Sequence, residues 1–159
     1  MPLDPIEYLE ILSQERYRAI IIHVAPQQSR LLSRYVQTIS KKLPGKYLDL
    51  LDKFIKSENL KKRIDNFGPE DLRKLLIEES KDSSLLVIDR PDFLLDTWRK
   101  REREDFFRML TDQWDGYRDG MKSIIIICLQ TSLEIENLHI SDSLGNSRIF
   151  SLADFNDIL

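Results

Sequence analysis

The sequence has very little cysteine and histidine, and this scarcity excludes several kinds of site. Its single cysteine, Cys128, cannot form an internal disulfide and lies in an apolar run, where a buried and unreactive thiol is expected. The two histidines, His23 and His139, show no paired spacing with cysteine, so the sequence predicts no zinc site. It also lacks the Gly-x-Ser-x-Gly element of serine hydrolases, and no Ser/His/Asp set stands out.

Long apolar runs and a strong charge of one sign are also missing. The longest apolar run, residues 124–129, is far shorter than the roughly 20 residues that a membrane-spanning helix needs. Pro2, Asp4, Pro5 and Glu7 stand where a secretory signal would carry its positive and apolar segments. A net charge of -3 gives no global attraction to nucleic acid or to an anionic membrane. We therefore expect a cytoplasmic protein without a membrane partner.

The remaining composition is that of an ordinary globular chain. With 42% hydrophobic and 32% charged residues, 159 residues suffice for one domain with a buried core. Strand-like apolar runs lie at 18–24, 84–89, 123–129 and 148–152, with a weaker one at 47–50. Segments with helical spacing lie at 4–12, 28–43, 68–77 and 93–114. This alternation predicts a single α/β domain over residues 1–159, with three layers: a parallel sheet flanked by helices.

The strand-like run that ends at Asp89 is the first candidate for chemistry, because ligands of open α/β sheets bind beyond the carboxyl ends of the strands. Four hydrophobic residues before an acid form the Walker B pattern, in which the carboxylate holds Mg²⁺ beside nucleotide phosphates. A carboxylate that bonds backbone amides in the turn before Pro91 explains the same pattern. Arg90 replaces the glutamate that often follows where water is activated, which argues against hydrolysis.

The loop after the first strand lacks the groups that bind phosphate. A phosphate loop, G-x-x-x-x-G-K-[ST], uses glycines to wrap backbone amides around the phosphate and a lysine to neutralise it. Residues 24–32 read VAPQQSRLL and contain neither. Shortening the motif by two residues aligns 27–29 with Gly-Lys-Ser and recovers only Ser29. Gln28, Ser29 and Arg30 are the candidates for a nucleotide contact here, with Arg30 either a substitute charge or an exposed helix residue.

A polar tip, Gln130-Thr131-Ser132, follows the apolar run at 123–129. A polar residue at this place corresponds to the sensor position of AAA-type ATPases, which orients water near the terminal phosphate. Turns after strands are rich in threonine and serine for other reasons as well. Thr131 is therefore a further nucleotide-binding candidate.

Together these segments resemble the P-loop NTPase superfamily, in its AAA/STAND-like branch, over residues 18–152. The size and layout look most like the BrxF family of small P-loop-containing proteins in BREX phage-defence systems. The resemblance implies ATP at the Walker positions, Mg²⁺ at Asp89, and larger defence components as partners in a bacterial cytoplasm. Because the degenerate Walker A loop lacks glycine and lysine, no cofactor is expected, with ATP and Mg²⁺ as the alternative.

Two charged clusters suggest contacts with macromolecules. The run at 99–105 mixes both signs within the last predicted helix, and is either a solvated face or a partner or oligomer surface. In the second case Arg99, Arg101 and Arg103 are its candidates, with Arg99 or Arg101 reaching an adjacent subunit. The second cluster could contact the phosphates of nucleic acid, although neighbouring acids dilute its charge. Its candidates are Lys61, Lys62 and Arg63.

These features lead to one hypothesis and two alternatives. The first is a non-catalytic or weakly active P-loop-fold protein, without predicted catalytic residues, that is an assembly or adaptor component of a phage-defence type complex. Protein partners, including further copies of the chain, are expected. The alternatives are a divergent ATP-binding ATPase subunit that uses Ser29, Arg30 and Asp89, and a nucleic-acid-binding subunit.

Overall fold

The computed structural model describes residues 3–42, 45–114, 122–141 and 145–155. In that part of the chain five parallel strands form one sheet, in the order β2-β3-β4-β1-β5. The predicted parallel α/β sheet is therefore confirmed. The strands are β1 (Ala19–Val24), β2 (Lys46–Asp49), β3 (Leu85–Asp89), β4 (Ile124–Gln130) and β5 (Ile149–Ser151).

Helices connect the strands. The α-helices are α1 (Pro5–Leu12), α2 (Ser29–Lys42), α3 (Leu50–Lys56), α4 (Glu58–Arg63), α5 (Pro69–Glu79), α6 (Asp92–Leu95), α7 (Lys100–Arg108) and α8 (Leu133–Glu136). Short 3₁₀ turns span Pro26–Gln28, Ile64–Asn66 and Leu152–Asp154, and a π-helical segment spans Met109–Gln113.

The two faces of the sheet bury separate apolar cores. Ile20 and Ile22 point to the face that α1 and α2 cover, where they pack with Val36. Ile21 points to the opposite face, which α3 to α7 cover, and joins a core that includes Leu76. Strands buried on both faces are apolar at nearly every position, which is why β1, β3 and β4 read as hydrophobic runs with polar residues only at or near their carboxyl ends. The sheet thus lies between two helical layers.

Helix starts follow local sequence signals. Asp4 caps α1, because its Oδ1 accepts hydrogen bonds from the backbone N–H groups of Ile6 (2.9 Å) and Glu7 (3.2 Å). The Asp71 carboxylate, in the first turn of α5, accepts from the N–H of Gly68 at 2.9 Å. Both helices begin with proline at the first position, where no intrahelical N–H is required.

The single long helix predicted for residues 93–114 is wrong, because the chain forms α6, a turn and then α7. Trp98 lies in this turn, and its Nε1 donates a buried hydrogen bond to the carbonyl of Phe67 at 2.7 Å. The Glu102 carboxylate then caps α7 by accepting from the N–H of Arg99 at 3.0 Å. The turn places the Trp98 indole in the core. The apolar residues that suggested one helix are therefore buried, although that helix does not form.

Side chains close the outer edge of β5. The register with β1 turns the N–H and C=O of Ile149 away from the sheet. The Ser147 hydroxyl donates to that C=O at 3.0 Å and accepts from that N–H at 3.1 Å. One residue pair further, the Asp154 carboxylate accepts from the N–H of Ser151 at 2.8 Å. Three of the backbone groups that another strand would pair with are therefore occupied.

Candidate functional site

The carboxyl ends of β1, β3 and β4 meet at one edge of the sheet, since β4 lies between the other two. They surround a cleft of about 180 Å³ that α2 and α6 also line. Two of the predicted nucleotide-binding residues, Ser29 and Asp89, reach this cleft, together with Gln130. Most of its remaining wall is apolar. Such a volume is smaller than the roughly 300–1,000 Å³ of pockets that enclose a drug-sized ligand.

Asp89 lies at the bottom of the cleft and is 4% exposed. Its Oδ2 accepts hydrogen bonds from the hydroxyls of Ser33 on α2 (2.5 Å) and Tyr47 on β2 (2.6 Å). Its Oδ1 accepts from the backbone N–H of Arg90 at 3.0 Å. A buried carboxylate needs such donors to offset the loss of water. Asp89 therefore ties β3 to α2 and to the edge strand β2.

The surroundings of Tyr47 raise the pKa of its phenol. Burial raises the pKa of its phenol, and the hydrogen bond to the Asp89 carboxylate raises it further, because the anionic form would face a second negative charge. The phenol therefore stays protonated over the physiological range and remains a donor. Sequence reasoning missed both Tyr47 and Ser33.

Arg90 follows Asp89 in a left-handed backbone conformation, with φ of 55°. Its guanidinium pairs with both carboxylate oxygens of Asp49, with a distance of 3.0 Å from Nε to Oδ1. Asp49 also caps α3 by accepting from the N–H of Asp52 at 3.2 Å. Arg90, which replaces the glutamate expected where water is activated, is thus bound to the end of the neighbouring strand β2. Left-handed geometry costs a non-glycine residue about 1–2 kcal/mol.

The strain at Arg90 leads to a stability prediction. Arg90→Ala and Arg90→Gly both lose the half-exposed ion pair, but only glycine relieves the left-handed strain. We expect the glycine variant to be more stable than the alanine variant by about 1 kcal/mol in urea unfolding. The same pair of changes at Lys56, in α3, serves as the control. There alanine should be the more stable variant, because the position is the last helical residue of α3 and not a left-handed one. Equal stability of the two Arg90 variants would contradict the prediction.

The loop at the predicted Walker A position is a single 3₁₀ turn. Pro26 has no N–H group, the N–H of Gln28 donates to the carbonyl of Ala25 at 2.8 Å, and that of Ser29 donates to the carbonyl of Pro26. The Ser29 hydroxyl donates to the same carbonyl at 2.9 Å and accepts from the Gln130 amide at 3.3 Å. The amides of Gln28 and Ser29 are therefore already bonded within the turn.

The other predicted nucleotide-binding residues lie outside the cleft. Gln28 and Arg30 are exposed and do not line it. The Thr131 hydroxyl lies 2.7 Å from Nδ1 of His23, at the end of β1. Burial lowers the pKa of His23, although Asp154 and other acids nearby oppose that shift. The sequence placed Thr131 on the correct strand end but could not place it beside a histidine.

Asp92 is a second acid that the sequence did not single out. Its Oδ1 accepts from the backbone N–H of Gln130 at 3.0 Å, so it links α6 to the end of β4. Burial raises the pKa of its carboxyl, partly opposed by that hydrogen bond. The available signal was its place three residues after Asp89, at the start of a helix that follows a strand end.

The side chains of the two charged clusters differ in exposure, and several of them form ion pairs with acids. Arg99 and Arg101 are exposed at the start of α7. By contrast, the Arg103 guanidinium donates to the Glu134 carboxylate at 2.7 Å and to the carbonyl of Trp98 at 2.6 Å. In the second cluster all three side chains are exposed, but two are paired with acids. These pairs are Lys61 with Glu58 and Arg63 with Asp71, while Lys62 is exposed and has no such pair with any residue that the structure describes.

Comparison with known protein families and with curated proteins gives no match for this chain. No helix in the described part of the chain is both long and apolar enough to cross a membrane. Within the same described ranges, no group of three or more His, Cys, Asp or Glu side chains is arranged to hold a metal ion. The buried state predicted for Cys128 is confirmed, and burial raises the pKa of its thiol.

Proposed function

We propose that this chain is a P-loop-type α/β domain in which polar groups of the phosphate site are hydrogen-bonded within the chain itself, and that it is a non-catalytic assembly or adaptor component of a phage-defence type complex. The strand order supports the first part: β4, with the sensor position, separates β1 from β3, which carry the Walker A and Walker B positions. The observation that carries the non-catalytic part is the engagement of the Asp89 carboxylate by Ser33, Tyr47 and Arg90.

The residues present do not fit a nucleoside triphosphate with Mg²⁺. A metal at Asp89 would compete with hydroxyl donors that lie 2.5 and 2.6 Å from Oδ2, and with the Arg90 N–H that lies 3.0 Å from Oδ1. A phosphate at the 3₁₀ turn would find the amides of Gln28 and Ser29 already bonded within the turn. No lysine stands in this loop, and the Arg30 side chain lies outside the cleft. These features support a role without nucleotide chemistry.

An exposed surface around α7 and α8 supports contact with other proteins. Leu133 is 78% exposed on α8, which adjoins α7 through the ion pair of Glu134 with Arg103. Arg101 is exposed on α7 itself, and Arg99 is exposed directly before it. Arginine beside exposed apolar side chains is common at protein interfaces. We therefore assign the partner surface to α7 and α8, with Arg99 and Arg101 as its charged residues.

Nucleotide binding tests the non-catalytic part of the proposal. Titration calorimetry with ATP and Mg²⁺ should give no saturable heat, because the amides of Gln28 and Ser29 are bonded within the turn and the Asp89 carboxylate already accepts from neighbouring donors. Saturable binding that Asp89→Ala abolishes would contradict this result and favour the divergent ATPase. Phosphate release above that of a Ser29→Ala, Asp89→Ala double variant would lead to the same conclusion.

Sedimentation velocity tests the assembly part in its simplest form, self-association. The wild type should sediment faster than a monomer at high protein concentration, and Arg99→Glu with Arg101→Glu should return it to the monomer. The matched control is Lys61→Glu with Lys62→Glu, which makes the same change of charge on α4 and should leave the assembly intact. A monomeric wild type would rule out self-assembly. Salt-sensitive DNA binding that the control pair removes would favour the nucleic-acid alternative.

A further inference from the structure

A cavity of about 400 Å³ lies between α1 and the edge strand β5, and none of its lining residues borders the cleft at the strand ends. Its wall is mainly apolar and includes Tyr8, Leu12 and Phe150. The rings of Tyr8 and Phe150 meet edge to face, with their centroids 5.2 Å apart. Two charged residues, Glu15 and Arg148, also line the cavity. The volume lies within the range of small-molecule sites, about 300–1,000 Å³.

Arg148 is buried in this wall without close partners among the described residues. Its side chain is only 5% exposed, and its Nη1 is buried with no hydrogen-bond partner in residues 3–42, 45–114, 122–141 and 145–155. Its Nη2 lies 3.9 Å from Oε2 of Glu15, which is beyond hydrogen-bond distance. A guanidinium stays charged at any pH that a protein survives, so it cannot escape this cost by losing a proton. Burial of a charge without close hydrogen-bonded partners destabilises a fold.

We propose that this cavity binds an organic anion, a carboxylate on an apolar body, and that Arg148 is its counter-ion. The planar guanidinium fork matches the two oxygens of a carboxylate, and such bidentate pairs are strong where water is excluded. The apolar wall would receive the body of the ligand, and the aromatic pair favours a flat one. This assignment explains why the fold retains a buried cation that its own carboxylate does not reach.

Glu15 is the competitor for the incoming carboxylate. Its side chain is 34% exposed, so it can turn into solvent when a ligand arrives. Its backbone stays fixed meanwhile, because its carbonyl accepts a hydrogen bond from Nε of Arg18 at 2.6 Å. Removing the charge of Glu15 should therefore strengthen anion binding, while a purely structural ion pair would gain no ligand affinity from this change.

Ligand titration followed by NMR or calorimetry tests the proposal, with phenylacetate and hexanoate as probes. Both anions should bind saturably to the full chain. Phenethylamine, which carries the opposite charge on a similar body, should not bind. Inorganic phosphate, an anion without an apolar body, should bind at least about tenfold more weakly than phenylacetate. Absence of saturable binding by both carboxylates, even to the Glu15→Gln variant, would overturn the proposal.

Variants separate binding from folding. Glu15→Gln should tighten phenylacetate binding by about tenfold, and Arg148→Lys should weaken it by about tenfold, because the bidentate contact is lost. Arg148→Met should abolish binding, yet the unliganded variant should unfold at the same or a higher temperature, since an uncompensated buried charge is removed. Arg34→Met, at an exposed arginine of α2, is the matched control and should change neither quantity.

Two results would show that Arg148 stabilises the fold and does not bind a ligand. The first is unchanged phenylacetate binding by Arg148→Met. The second is a fall of more than about 5 °C in the unfolding midpoint of that unliganded variant, together with unaltered affinity in Glu15→Gln. Neither result would bear on the assembly function, because that proposal depends on the cleft at the strand ends and on α7 and α8.

Discussion

Replacement of Asp89 by alanine is expected to lower the free energy of unfolding by about 2–4 kcal/mol, one of the largest single effects in this chain. The change leaves the hydroxyls of Ser33 and Tyr47 and the N–H of Arg90 without their acceptor in a mostly buried place. It also removes the side-chain link from the end of β3 to α2 and to Tyr47, while the backbone pairing of β2 with β3 remains. Urea unfolding at equilibrium, followed by far-UV circular dichroism, measures the loss.

Two variants control this measurement. Asp89→Asn keeps one carbonyl oxygen as an acceptor and should lose about half as much stability as alanine. Asp96→Ala removes an exposed acid seven positions later, in the turn after α6, and should change stability by less than about 0.5 kcal/mol. An Asp89→Ala variant of wild-type stability would show that the carboxylate is free for a ligand, and the structural account of the cleft would fail.

Opening the outer edge of β5 is expected to create a new mode of self-association. In the Ser147→Ala, Asp154→Ala variant, the N–H and C=O of Ile149 and the N–H of Ser151 lose their capping oxygens. An uncapped edge strand can pair with the same edge of a second molecule. We expect a faster-sedimenting species that increases with protein concentration and binds thioflavin T more strongly than the wild type.

The background and the control decide how this experiment is interpreted. It should be made together with Arg99→Glu and Arg101→Glu, so that association through α7 does not contribute. Ser147→Thr with Asp154→Asn keeps an oxygen at both capping positions and should sediment as that background does. If both double variants remain monomeric, the capping oxygens do not protect the edge and another feature must do so.

The regular part of the fold could be predicted because its signals are local. The strands β1, β3 and β4 are apolar at nearly every position, and this run is what burial on two faces demands. The starts of α1 and α5 could be predicted from an acid and a proline at the positions where a helix leaves N–H groups free. The break before α7 could not, since the hydrogen bond that holds Trp98 joins it to Phe67, 31 residues earlier.

The candidate site depends on contacts that leave no local trace. The partners of Asp89 are Ser33, 56 residues before it, and Tyr47, 42 residues before it. Either residue taken alone is an ordinary member of its helix or strand. The sequence could therefore place an acid at a strand end but could not tell whether its carboxylate was engaged. The burial of Arg148 is hidden for the same reason, because it depends on how α1 packs beside β5.

The strand order also has a consequence for the nascent chain during its synthesis on the ribosome. Among the strands of the described ranges, β1 pairs only with β4 and β5, so Ala19 has no strand partner until Ile125 has been synthesised. At about 5–20 residues per second, the roughly 100 intervening residues take about 5–20 s to synthesise. Throughout that interval the run Ala19-Ile20-Ile21-Ile22 has no strand beside it. Slower translation of this stretch should therefore increase the dependence of the nascent chain on chaperones that shield apolar segments.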